Sequence, residues 1–212
     1  MIYRYGSGRE TALAHHKDMR EIQLIYNGPI LFKTQISEED IKKIKKLCSK
    51  NKKLDMRHNL AGIIDNEYQI TDHETIASIL TPYFEDFKQG YRSWYAKDIT
   101  KIELVSCWVN YMVAGECNPL HTHNSCDFSS VLYLDIPKNL KLESKKTINN
   151  GSKPGDINFH FCNRIPNYIY QVSVLPEVGD FYIFPAMLPH SVNSFKSKGE
   201  RVSVACNFKV YD

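Results

Sequence analysis

At 212 residues, 42% hydrophobic and 24% charged, the chain is long enough to bury a core of its own as one domain with an elaborated flank. A net charge of +3 gives no general attraction to nucleic acid or a membrane surface, and no stretch approaches the roughly 18 apolar residues of a bilayer span. The six cysteines form no CxxC pair, so reduced thiols in a cytosol are expected rather than a zinc ribbon.

Residues 1–27 are polar and irregular and read as a flank or arm, with no secretory leader expected in "MIYRYGSGRE". "PILFKTQI" (29–36) has the β-branched and aromatic content of a strand. Ser37 with Asp40 then signals an N-cap, opening a helix over 38–51 whose stripe is Ile41, Ile44, Leu47 and Cys48. Its lysines form a solvated face. Thr71 with Glu74 suggests a second capping box, starting a long helix to Tyr95 in which Pro82 predicts a kink or a split.

From Lys101 the character changes. "KIELVSCWVNYMVAG", "FSSVLYLDIP", "INFHF", "YIYQVSVLP", "GDFYIFPA" and "ERVSVACNFKV" are strand-like runs separated by turn residues. Helices first and many short strands after predict helices outside an antiparallel sandwich or jelly roll. The polar stretch 138–156 reads as a mobile loop.

"HTHNSCD" (121–127) packs several metal-binding side chains into a short space. If His121 and His123 end the strand from Lys101, their imidazoles share a face and suit one ion. A third ligand must come from elsewhere. His190 is the candidate, carried back by a loop after a strand ending at Pro185. Farther on, "RVSVACNF" as a strand sets Arg201, Ser203, Ala205 and Asn207 on one face, with Val202, Val204, Cys206 and Phe208 on the other. An arginine fork and a hydroxyl two residues apart make a clamp for a carboxylate.

In "CWVNYMVAGECNPLHTH", "SSVLYLDIP", "GDFYIFPAMLPHSV" and "ERVSVACNF", taken in that order, the sequence resembles the 2-oxoglutarate- and Fe(II)-dependent oxygenase superfamily. More narrowly, it resembles a small bacterial and phage branch with HxH where most relatives carry HxD. The resemblance covers 101–210. It implies a double-stranded β-helix, cupin-like, holding Fe(II) by His121, His123 and His190. It further implies that 2-oxoglutarate reaches Arg201 and Ser203 with its far carboxylate, with Tyr133, Asn110 and Asn207 as further cosubstrate contacts. Asp127 remains open as an alternative ligand to His123, or as a partner to a ligand imidazole.

The implied activity is a dioxygenase of hydroxylase type, converting 2-oxoglutarate to succinate with O2 while oxidising an unidentified substrate. A peptide or small molecule fits that substrate better than nucleic acid. Two rivals stand beside it: a non-catalytic jelly-roll module that binds a metal or ligand, and a structural zinc site built from Cys117, His121, His123 and Cys126. The expected organisation is one domain over 1–212, with a helical flank and first strands to residue 100 and the jelly-roll core from 101. The expected setting is cytoplasmic (a host cytoplasm for a phage protein), without a membrane partner and with a homodimer open.

Overall fold

The computed structural model describes residues 11–12, 23–24, 28–148, 151–161 and 171–212. Helix α1 (Glu38–Leu47) starts where Ser37 Oγ accepts the Asp40 N–H at 3.1 Å. It stops short of the expected Asn51. Cys48 is already extended, and Ser49, Lys50 and Asn51 are exposed and add nothing to the apolar stripe. Helix α2 (His73–Tyr95) is capped by Asp72 rather than Thr71: the Asp72 carboxylate accepts the Thr75 N–H at 3.0 Å. A carboxylate there also favours the positive end of the helix dipole. Pro82 lies inside one unbroken helix, so no split occurs. It is tolerated because Pro82 and Ser78, whose carbonyl loses its N–H partner, both face water.

Among the described residues, ten strands pair in two antiparallel sheets. The larger sheet runs β3 (Phe32–Gln35), β10 (Asp180–Pro185), β7 (Phe128–Asp135), β12 (Arg201–Tyr211), β5 (Lys101–Met112) and β4 (Glu67–Gln69). The smaller runs β6 (Asn118–His121), β11 (His190–Val192), β8 (Ile157–His160) and β9 (Gln171–Val174). β1 (Thr11–Ala12) pairs with β2 (Gln23–Leu24) in a separate ribbon. The remainder of the expected 1–27 arm lies outside the described residues.

Strand alternation divides the interior into two cores. Along β12, Val202, Val204, Cys206 and Phe208 point to the helices, where they meet Ile44, Ile76, Leu80, Phe84 and Phe87. Along β10, Tyr182 and Phe184 point the other way, toward Phe159 of the smaller sheet. The larger sheet is therefore covered on both faces. The result is a jelly roll with helices on its outer side.

The stretch 138–156 is not a continuous loop. It contains helix α3 (Leu140–Lys146), pinned by the fully buried Leu140 and by Glu143, whose carboxylate accepts the Lys196 and Ser197 N–H groups at 2.8 Å. No helix among the described residues is long and apolar enough to cross a membrane.

Candidate active site

Between the sheets lies a cavity of about 180 Å³, with three histidines at one end and an arginine at the other. The strand from Lys101 ends at Met112, so His121 does not belong to it. His121 closes the separate strand β6, and His123 follows just past its end. His190 opens β11 rather than sitting in a loop, directly opposite His121 in register. The His123 N–H donates to the Ala186 carbonyl at 2.9 Å, which ties it to the same end of the fold.

The three side chains converge: one nitrogen from each of His121, His123 and His190 lies within 4.8 Å of the others. Hydrogen bonds favour one tautomer in two of them. His121 Nδ1 faces the Pro119 carbonyl at 2.7 Å, and His190 Nδ1 faces the Leu188 carbonyl at 2.9 Å. With those Nδ1–H groups donating to carbonyls, the Nε2 lone pairs are left for the cavity. His190 Nε2 stands 3.2 Å from His123 Nε2.

Burial keeps all three rings neutral near pH 7. It lowers His121, takes His123 down to about 4 with help from His121, and takes His190 down to about 3. Three neutral imidazoles with converging lone pairs are a donor set suited to a divalent metal of the first transition row.

Asp127 takes no part in this convergence. Ser125 adopts a left-handed backbone (φ 65°) and the chain reverses around it. Asp127 is exposed, and its carboxylate accepts the Val210 N–H at 2.9 Å. Cys117 and Cys126 also lie outside the grouped metal-ligating atoms among the described residues.

At the opposite end Arg201 is 3% exposed. Its Nη2 donates to the Tyr133 hydroxyl at 2.8 Å, its Nη1 meets Met112 Sδ at 3.4 Å, and the guanidinium lies 4.7 Å over the Tyr133 ring. Nε has no partner, and Arg201 forms no ion pair among the described residues. Asp156 feels its charge, but that carboxylate is occupied by the Lys153 N–H at 2.7 Å. A buried guanidinium without a counter-ion is costly, and an anion entering the cavity would relieve it.

Ser203 stands beside Arg201 on the wall, paired in register with Tyr133 on one side and Asn110 on the other. Asn207, expected in this set, pairs with Ser129 and is not part of the cavity lining.

Three wall residues carry no signal that sequence reasoning used: Trp108, Ser129 and Glu67. Trp108 packs 5.9 Å from the His123 ring. Alternation along "CWVNYM" could have found it, since Trp108, Asn110 and Met112 share one face.

Residues 106–207 match the family model described as "Putative 2OG-Fe(II) oxygenase". Over that stretch, just under half of its length, the chain is similar to the 2OG-Fe(II) oxygenase family.

Solved structures with the same fold include an oxidoreductase of that family from Burkholderia pseudomallei (13% identity, 86% of this chain and 84% of that one, TM-score 0.53). A prolyl-4-hydroxylase from Pseudomonas putida matches at 14% identity over 86% and 93%, TM-score 0.51. A viral collagen prolyl hydroxylase from Paramecium bursaria Chlorella virus-1, solved with 2-oxoglutarate, matches at 13% over 84% and 94%, TM-score 0.54. At such identities the likeness establishes the fold. No curated protein sequence matches the chain. The superfamily's cofactors are Fe(II) and 2-oxoglutarate, and both ends of this cavity have the chemistry to receive them.

Proposed function

We propose that the protein is a 2-oxoglutarate-dependent dioxygenase of hydroxylase type, in which His121, His123 and His190 hold Fe(II). Arg201, Ser203 and Tyr133 bind the far carboxylate of 2-oxoglutarate. The observation that carries this is Arg201: a buried cation with an unpartnered Nε, on the wall of the cavity that ends in three converging imidazoles.

Each residue then has a defined task. His121, His123 and His190 would hold the metal through three neutral nitrogen donors. Arg201 and Ser203 fix the cosubstrate's distal end by charge-assisted and neutral hydrogen bonds, and the Tyr133 hydroxyl, already engaged by Nη2, holds the guanidinium flat. Phe184 lines the site and Phe159 and Tyr182 pack behind it, an apolar wall that keeps water out. Bound iron with 2-oxoglutarate supplies O2 activation coupled to decarboxylation of the cosubstrate to succinate.

The test is anaerobic addition of Fe(II) and 2-oxoglutarate to the purified protein. A visible charge-transfer band that disappears in Arg201→Ala at limiting cosubstrate, and in His190→Ala at any concentration, is the expected result. No band in the parent protein would overturn the assignment, and so would one unchanged in both variants.

A further inference from the structure

The cavity has a second unpaired charge. Glu67, on the edge strand β4, is 1% exposed, lines the cavity, and its Oε2 has no hydrogen-bond partner. Register places it directly across from Asn110, which in turn faces Ser203. Asn110 Oδ1 is likewise buried and unpartnered, so neighbouring strands bring two unpartnered oxygens to the wall of the same space.

Glu67 and Arg201 do not pair: Arg201 is turned to Tyr133 and Met112, and Glu67 Oε2 has no partner among the described residues. Around Glu67 the other charges are mostly negative. Glu116 and Asp55 act on it, and the one nearby cation, Arg57, is already clamped to the Asp55 carboxylate at 2.6 Å. Burial first, then Glu116 and Asp55, push the Glu67 carboxyl up to about 7. No donor or cation of the protein pairs with this Oε2 among the described residues.

Neither cofactor would give it a local partner. The metal would sit on the three imidazoles and the far carboxylate of 2-oxoglutarate on Arg201 and Ser203, so Glu67 Oε2 gains no hydrogen-bond donor from either. Gly62 packs against it so closely that a Cβ there would stand 2.7 Å from Glu67 Oε1, so the segment before β4 holds the carboxylate in place.

We infer that Glu67, with Asn110 beside it, is the subsite for the oxidised substrate, and that it takes a cationic nitrogen, an ammonium or a guanidinium. This rests on the oxygenase reading for the word substrate, but the binding it claims can be measured without turnover. A buried carboxylate facing a cation in a low-dielectric pocket binds through charge-assisted hydrogen bonds, with the Asn110 carbonyl as second acceptor.

The experiment titrates n-butylammonium, n-butylguanidinium and 1-butanol into the anaerobic protein loaded with Fe(II) and 2-oxoglutarate, followed by ligand-observed NMR. The two cations should bind about tenfold more tightly than the alcohol, the scale of one charge-assisted hydrogen bond. Glu67→Gln should erase that preference while keeping the charge-transfer band. Gly62→Ala, which retains the carboxyl but displaces it, should reduce the preference. Equal binding of cations and alcohol, or a preference that survives Glu67→Gln, would overturn the inference. If the band is present but the preference absent, the subsite fails and the oxygenase reading stands. If the parent shows no band, the oxygenase reading fails, and a cation preference lost in Glu67→Gln still supports the site.

Discussion

The two faces of the larger sheet are made by the same strands and differ in nearly everything else. Toward the helices, β12 and its neighbours present valine, cysteine and phenylalanine, with Phe84, Phe87, Phe128 and Phe208 in edge-on and stacked contact. Toward the cavity they present Arg201, Ser203, Asn110 and Ser129, and at the edge Glu67. Buried polar atoms without partners gather on this second face: Glu67 Oε2, Asn110 Oδ1, Ser129 Oγ and Arg201 Nε. One face is closed chemically, and the other carries polar atoms that no protein group satisfies. Stability and binding are thus separated by a step of one residue along a strand.

That separation can be broken most sharply at the metal. His121→Ala, His123→Ala and His190→Ala should each lose iron in metal analysis of the purified protein, whereas Asp127→Asn should retain it. An iron-replete His123→Ala beside an iron-free Asp127→Asn would reverse the ligand assignment.

On the helix face, Phe87→Ala should cost on the order of 3–5 kcal/mol in denaturant unfolding, because it empties the centre of the aromatic cluster. Arg201→Ala, one face away, should cost much less in unfolding, because the lost Tyr133 hydrogen bond is offset by removal of a buried charge without a counter-ion. Instead it should weaken 2-oxoglutarate binding by roughly 2–5 kcal/mol, at least tenfold, in calorimetry. Equal cosubstrate affinity in mutant and parent would remove the clamp.

Glu67 offers a test by pH. Its folded carboxyl is raised from 4.5 to about 7, so the folded state keeps a proton that the unfolded chain releases. Stability therefore falls as pH rises from about 4.5 through 7. Glu67→Gln cannot titrate, so its melting temperature should rise relative to the parent across that window and stay higher at pH 8. A constant difference from pH 5 to 8 would show that Glu67 does not titrate there. The smallest effect is expected for Ser203→Ala, about 1 kcal/mol in cosubstrate affinity with iron content unchanged.

What the sequence disclosed tracks how local the cause is. The alternation of "RVSVACNF" is intrinsic to a strand, so both faces of β12 were legible, Arg201 included. The convergence of His121, His123 and His190 was legible in the HxH spacing, in His190 after a strand, and in the family resemblance, but the strands that achieve it were misplaced: His121 lies on the separate β6, and His190 on β11. Nothing local marks such short strands, because they exist only through their partners. Glu67 was missed for a related reason. In "IIDNEYQI" it looks like any solvated glutamate, and its burial depends on pairing with Asn110 and on cover by Gly62. Helix α3 hid behind its polar composition, since only Leu140 and Ser144 of it are buried.

The register pair His190–His121 has one more effect. These two residues sit opposite each other on β11 and β6, in a sheet whose strands are only three or four residues long. An ion held by both would staple neighbouring strands across their hydrogen-bonded seam. The metal-free protein should then exchange its amide hydrogens fastest in β6 and β11 within the jelly roll, and loading should slow that exchange far more than it slows exchange in β5 and β12. Iron would be a structural rivet of the smaller sheet as well as the reactive centre, and chelation would soften one wall of the barrel while leaving the other intact.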